Sequence, residues 1–220
     1  MLTRLEYRIL QLSYKHKLSH IGSCISVLPI FEHIYRIKNE NDHFVNGAGH
    51  AGLALYVMLE TIYGYNAEEI LEKYGIHSTR APEYKIEVSG GSLGLAESVA
   101  LGMAMTTKNN VYLVSTDGGI VEGICSEVMQ LCESKTIHNL QWFINNNGWA
   151  AYDRSNLSWF EDKENGIPAI TVKTTGLENM DHVNFWYRYP TYIPFLKDQS
   201  AHYYRMSDED WNWVQDNKLQ

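Results

Sequence analysis

Cysteine is scarce in this chain of 220 residues: only Cys24, Cys125 and Cys132 occur, with no C-x-x-C spacing. So odd and scattered a set excludes a disulfide framework and a zinc knuckle, and points to a reducing compartment, the cytoplasm. Long apolar runs are missing as well. No stretch reaches the ~18 apolar residues of a membrane helix, and Met1–Arg8 is charged rather than signal-like. Basic residues are outnumbered by acidic ones, 18 to 26, leaving a net charge of -8. That balance gives no electrostatic footprint for nucleic acid or an anionic membrane. Repeats and low-complexity tracts are absent, so disordered and collagen-like classes fall away. What is present is ordinary: 45% hydrophobic and 12% aromatic residues, enough for one domain with a real core.

Apolar spacing predicts helices over Leu2–Leu18, Ile25–Ile37 around Pro29, Ala51–Tyr63 and Ala67–Tyr74. Between Gly75 and Gly94 the pattern fails, and a loop of that length is either functional or disordered. Leu95–Met105 is small and apolar, a helix able to lie close on a sheet. Val111–Thr116 and Leu140–Ile144 read as strands buried on both faces, joined by a helix over Glu122–Cys132, with a third strand at Ala169–Thr175. This rhythm predicts an α/β fold, a three-layer sandwich with a mostly parallel sheet and helices on both faces. The expected organisation is one domain, residues 1–180, with residues 181–220 as its aromatic-rich C-terminal extension. Those aromatics suit either an interface or packing on the domain's own core.

The strongest chemical signal lies between Thr116 and Trp149. One strand ends in Asp117-Gly118-Gly119 and the next in Asn145-Asn146-Asn147-Gly148, so Asp117 and Asn147 stand thirty residues apart, about one strand–helix–strand unit. Ligands of open parallel sheets bind outside the carboxyl ends of strands, where both residues would sit. An aspartate, an asparagine and a backbone carbonyl make a hard-oxygen set for Mg²⁺ or Ca²⁺, and Mg²⁺ takes its remaining ligands from water and phosphate. Gly118 lets a diphosphate approach the backbone, with helical N–H groups behind it. Taken singly, Asp-Gly and Asn-Gly pairs are ordinary turns; the interval and the parallel-sheet setting distinguish these two. Among the nine histidines, His20 and His50 lie in glycine-flanked segments where backbone must come close to something. His16, His33, His43, His77, His138, His182 and His202 read as structural.

Asp117-Gly118, then Glu122-Gly123 and Glu127, then Asn147, resembles the thiamine diphosphate motif, with Thr116 where that motif's first glycine stands. Leu18-Ser19-His20-Ile21-Gly22-Ser23 and Gly49-His50-Ala51-Gly52-Leu53-Ala54-Leu55-Tyr56 resemble two histidine segments of transketolases. Val88-Ser89-Gly90-Gly91-Ser92-Leu93-Gly94, followed by Gly102-Met103-Ala104, resembles their Gly-Pro-Leu-Gly loop and small-residue helix. The resemblance covers about Leu12 to Tyr152 and implies a thiamine diphosphate-binding fold. It implies Asp117, Asn147 and the Trp149 carbonyl as metal ligands, and His50 and Gly118 as diphosphate contacts. Gly91 and Leu93 would sit against the aminopyrimidine and His20 on the substrate side. Glu122 and Glu127 match acidic residues that link paired active sites, and Glu122 is counted with His20 and His50 as catalytic.

Two positions depart from the pattern: Ala81 precedes Pro82-Glu83 where a substrate-side histidine is usual, and Tyr187 follows Phe185-Trp186 where another is. His77 or Arg80 is left as a candidate replacement. The resemblance covers only the diphosphate-binding half, and so implies a separate pyrimidine-binding partner chain in an α₂β₂ assembly. The implied activity is transfer of a two-carbon ketol unit from a ketose to an aldose, with a small sugar or sugar phosphate as substrate. Alternatives are decarboxylating carbon–carbon bond formation of the 1-deoxyxylulose-5-phosphate synthase kind, and a non-catalytic cofactor-binding subunit.

Overall fold

Four short strands run parallel in the computed structural model, which describes residues 1–135, 137–150, 153–155, 183–187, 192–197 and 199–218. They are β1 (His43–Asn46), β2 (Val111–Thr116), β3 (Leu140–Asn146) and β4 (Val183–Tyr187), paired in that spatial order. The register sets Phe44 beside Tyr112, Thr116 beside Asn145 and Asn146 beside Tyr187. The Phe44-Val45 step is thus a strand, and the aromatic run at residues 183–187 is another. The strand expected over Ala169–Thr175 and the boundary between residues 180 and 181 lie outside the described residues.

Side chains alternate between the two faces of the sheet, and each face has its own core. Phe44, Tyr112, Val114 and Phe143 join the core under α1 (Arg4–Lys15), α2 (Ile21–Ile37), α3 (Gly52–Tyr63) and α4 (Ala67–Tyr74). Val45, Leu113, Trp142 and Ile144 face the opposite side, against α5 (Leu95–Thr106), α6 (Asp117–Ile120) and α7 (Gly123–Lys135). This is the expected three-layer α/β arrangement. Each fully buried aliphatic side chain contributes about 1.5–3 kcal/mol. Trp142, buried with them, donates its ring N–H to the Ser115 hydroxyl at 2.8 Å. Among the described residues no helix is long and apolar enough to cross a membrane.

Local signals fix the helix ends. Thr3 and Glu6 form a capping box at α1, Asn66 caps α4, and Gly64 ends α3 at φ 73°. The last helix, α8 (Asp208–Asp216), opens with a Ser207–Asp210 capping box and docks on α1. There Trp211 stacks on Tyr14 with ring centroids 5.0 Å apart and planes 4° off parallel. The Leu2 N–H donates to the Asn217 carbonyl at 2.9 Å beside it. These tail aromatics pack on the domain's own core.

Candidate cofactor and substrate site

Asp117 follows directly on β2 and opens α6, where the Thr116 hydroxyl accepts the Gly119 N–H at 3.1 Å. Its carboxyl is fully buried. Oδ1 accepts the Gly118 N–H at 3.1 Å and Oδ2 accepts the Ser155 hydroxyl at 2.7 Å. Burial nevertheless pushes the carboxyl up to about 6, because these hydrogen bonds and one from the Gly148 amide offset only part of the lost hydration. Past β3 the chain turns at Gly148, φ 81°, and the Asn147 side-chain oxygen accepts the Trp149 N–H at 3.0 Å. The Ser155 N–H donates to the Gly148 carbonyl at 3.2 Å and closes the loop over Asp117. Asp117, Asn147 and Trp149 therefore share the carboxyl edge of two neighbouring strands. At that edge the buried Asn46 and Asn145 side-chain oxygens have no hydrogen-bond partner among the described residues. A buried carboxylate at the strand edge that also carries the Asn147 side chain and the Trp149 carbonyl offers the hard oxygens that a divalent cation takes.

The histidines meet on the α2–α3 side of the same edge. His20 precedes α2 in the left-handed conformation, φ 59° and ψ 22°, which residues with a Cβ rarely adopt. It is pinned there by donation of its N–H to the His202 carbonyl at 2.9 Å, while its own carbonyl accepts the Cys24 N–H. Its ring centroid lies 5.4 Å from His50, 6.1 Å from His77 and 4.6 Å from His202. Tyr203 stands 5.5 Å away, and buried Nδ1 of His20 has no partner among the described residues. Burial, reinforced by the neighbouring imidazoles, lowers His20 to about 4 and His50 to about 3. Burial lowers His202 too. At neutral pH His20, His50 and His202 are uncharged, able to accept or donate a proton.

Glycines let the segments meet. A Cβ on Gly49 would lie 2.0 Å from the Gly91 nitrogen, so the His50 segment and the Gly90-Gly91 loop cross main chain to main chain. Gly91 itself sits at φ 113°, with His77 Cδ2 3.1 Å from where its Cβ would be. Leu93 reaches within 3.8 Å of a Cβ on Gly119, which joins this loop to the buried Gly118-Gly119 turn. Glu122 and Glu127 are exposed on the α6–α7 side, with Glu122 against Gly94.

Three further residues belong here. His77, structural by its local context but also a candidate replacement for the missing substrate-side histidine, and His202, structural by its context, complete the imidazole cluster. His202 brings a carboxyl-terminal histidine to the site although Tyr187 stands where one is expected. The third is Glu97, 1% exposed on α5. Its Oε1 accepts the Ser115 hydroxyl at 2.5 Å, its Oε2 lacks a partner among the described residues, and burial raises its pKa.

A family model described as the transketolase thiamine diphosphate binding domain matches residues 14–182. The chain belongs to this family. A transketolase of Mycobacterium bovis is 27% identical over 179 residues, covering 65% of this chain and 25% of that protein. One subunit of the apulose-4-phosphate transketolase of Phocaeicola vulgatus is 32% identical over 161 residues, covering 64% of this chain and 57% of the relative. The transketolase structure of Campylobacter jejuni superposes on 98% of this chain and 43% of its own, with TM-score 0.67 and 17% identity, a likeness of fold. The chain thus spans about a quarter of the Mycobacterium protein and just over half of the Phocaeicola one. The transketolase family is one of thiamine diphosphate-dependent transferases, and the oxygen-bearing Asp117 and Asn147 at one strand edge suit the metal such a diphosphate needs.

Proposed function

We propose that the chain is the diphosphate-binding subunit of a split transketolase-like enzyme that moves a two-carbon ketol unit from a ketose to an aldose. The observation that carries this reading is the convergence of Asp117, Asn147, the Gly49–Gly91 crossing and the imidazole cluster at one sheet edge. When bound, thiamine diphosphate supplies the carbanion chemistry of the transfer. The Asp117 carboxylate, the Asn147 side chain and the Trp149 carbonyl would hold Mg²⁺, or Ca²⁺, once Asp117 gives up its proton. His50 and the Gly118 backbone would meet the diphosphate, with Gly91 and Leu93 lining the place of the aminopyrimidine. His20 would hold or pass a proton at a substrate hydroxyl, work a neutral imidazole does near pH 7. Glu122 and Glu127, both exposed, would face a second active site across an assembly.

The Phocaeicola relative, named as one subunit of its transketolase, supports a separate partner chain. That partner would carry the pyrimidine-binding domain in a cytoplasmic α₂β₂ assembly acting on a sugar or sugar phosphate, and the chain alone would not turn over. Calorimetric titration with thiamine diphosphate and Mg²⁺, alone and with a pyrimidine-domain chain encoded beside it, tests the reading. Metal-dependent binding, with ketol transfer only in the mixture, is expected. Absence of metal-dependent binding in both states overturns it.

A further inference from the structure

We propose that His16, Glu68 and Glu72 form a second cation site, one that takes a divalent transition ion of the Zn²⁺ kind and fastens the end of α1 to α4. The site shares no residue with the cofactor cleft and does not depend on the functional reading above.

No common motif joins these residues in sequence; folding assembles them from two helices, with His16 and Glu68 fifty-two residues apart. His16 is the residue at which α1 stops, its N–H still donating to the Leu12 carbonyl at 2.9 Å. Lys17 then turns through φ 51°, and the Leu18 N–H reaches back to the Ser13 carbonyl at 2.9 Å, an ending that glycine usually provides. This stop sets the His16 ring against α4. There Glu68 and Glu72 stand four residues apart, so both carboxylates project from one face of the helix.

The imidazole nitrogen and one carboxylate oxygen from each glutamate all lie within 4.8 Å of one another. Ligands of a tetrahedral zinc ion stand about 3.4 Å apart, and a small swing of the exposed Glu72 side chain closes the set. His16 Nε2 already sits 2.5 Å from Glu68 Oε1. The cation takes the place of the proton between these two atoms, which leaves to solvent. The Lys15 ammonium, 2.7 Å from the same oxygen, is 62% exposed and free to turn away. An ion pair alone accounts for Lys15 and Glu68, but gives no reason for an imidazole and a second carboxylate to converge on the same point. One nitrogen and two carboxylate oxygens, with water in the fourth place, make a zinc set, whereas the oxygens at Asp117 and Asn147 suit Mg²⁺.

The test uses the full chain stripped with chelator and kept in excess Mg²⁺, which fills oxygen-only sites, with ZnCl₂ as the probe. Calorimetry reads affinity, the His16 ring resonances read the place, and thermal melts read the fastening. Expected in the parent are saturable zinc binding, a shift of the His16 resonances and a melting point raised by about 5 °C at hundredfold excess of zinc over its dissociation constant. Affinity should fall at least about tenfold in His16→Gln and in Glu72→Gln, the second a surface change that leaves the fold intact. It should rise in Lys15→Gln, which removes the competing ammonium. Zinc binding absent from the parent overturns the assignment, as do unshifted His16 resonances. Equal affinity in the parent, His16→Gln and Glu72→Gln overturns it too and moves the ion to the cleft imidazoles.

Discussion

Replacing Asp117 by asparagine should make the metal-free chain more stable while removing its metal-dependent cofactor binding. The carboxyl is fully buried and its pKa rises from 3.8 to about 6, burial being the main cause. A carboxyl raised on folding favours the protonated form, so stability is lost as pH climbs from the unfolded value through the folded one. At about 1.4 kcal/mol per pH unit, ionised Asp117 costs the metal-free chain about 3 kcal/mol at pH 7.5. The asparagine escapes that cost but offers an N–H group in place of one of the two oxygens that accept the Gly118 N–H and the Ser155 hydroxyl, a mismatch of about 1–2 kcal/mol. A net gain of about 1–2 kcal/mol remains. Urea denaturation of parent and Asp117→Asn, both stripped with chelator, measures it, and the gain should shrink by about 2 kcal/mol between pH 7.5 and pH 4.5. A variant less stable than the parent at pH 7.5, or a pH-independent difference, would refute the reasoning. Retained metal-dependent cofactor binding would refute the assignment of the ligand.

Three further outcomes follow from the geometry. His50, lowered to about 3, refuses protons that the unfolded chain takes up below its ordinary 6.5, so stability should fall as pH drops from 6.5 towards 4.5. Allowing for solvent at the half-buried ring, His50→Gln should spare about 1 kcal/mol of that loss in urea melts at the two pH values. Gly49→Ala drives a methyl group into the backbone of Gly90 and Gly91 and should cost about 3 kcal/mol, whereas Gly102→Ala, with nothing within 4 Å, should be neutral or stabilising; thermal melts compare them. Trp211→Ala removes the stack on Tyr14 and the contact with Tyr7. It should cost about 2 kcal/mol, read by urea denaturation.

Much of the architecture is legible because burial writes it plainly. Val111–Thr116 and Leu140–Ile144 are nearly continuous apolar runs, with only Gln141 and the terminal Ser115-Thr116 polar, the pattern of strands covered on both faces. Asp117 and Asn147 stand out because strand ends of a parallel sheet are where ligands bind. β1 reads only as a short apolar step, since four residues carry too little pattern to mark a strand. His77 and His202 are separated from His20 by long stretches of chain, and only folding brings the rings together. Glu97 is the one charge in an otherwise small, apolar helix, and nothing in that local pattern shows the Ser115 hydroxyl beneath it. Nothing local marks Ser155, whose part is to close over Asp117 from beyond the Gly148 turn.

The crossing of Gly49 over Gly90 and Gly91 behaves as a rivet between two stretches of chain distant in sequence. Inside it, length and composition are locked, because no atom can be added between the two main chains. Outside it, the arc from residue 79 to residue 88 is tied down separately: Ala81 and Ile86 are seated in the core, and the Glu87 carboxylate is held by the His43 ring and the Phe44 N–H of β1.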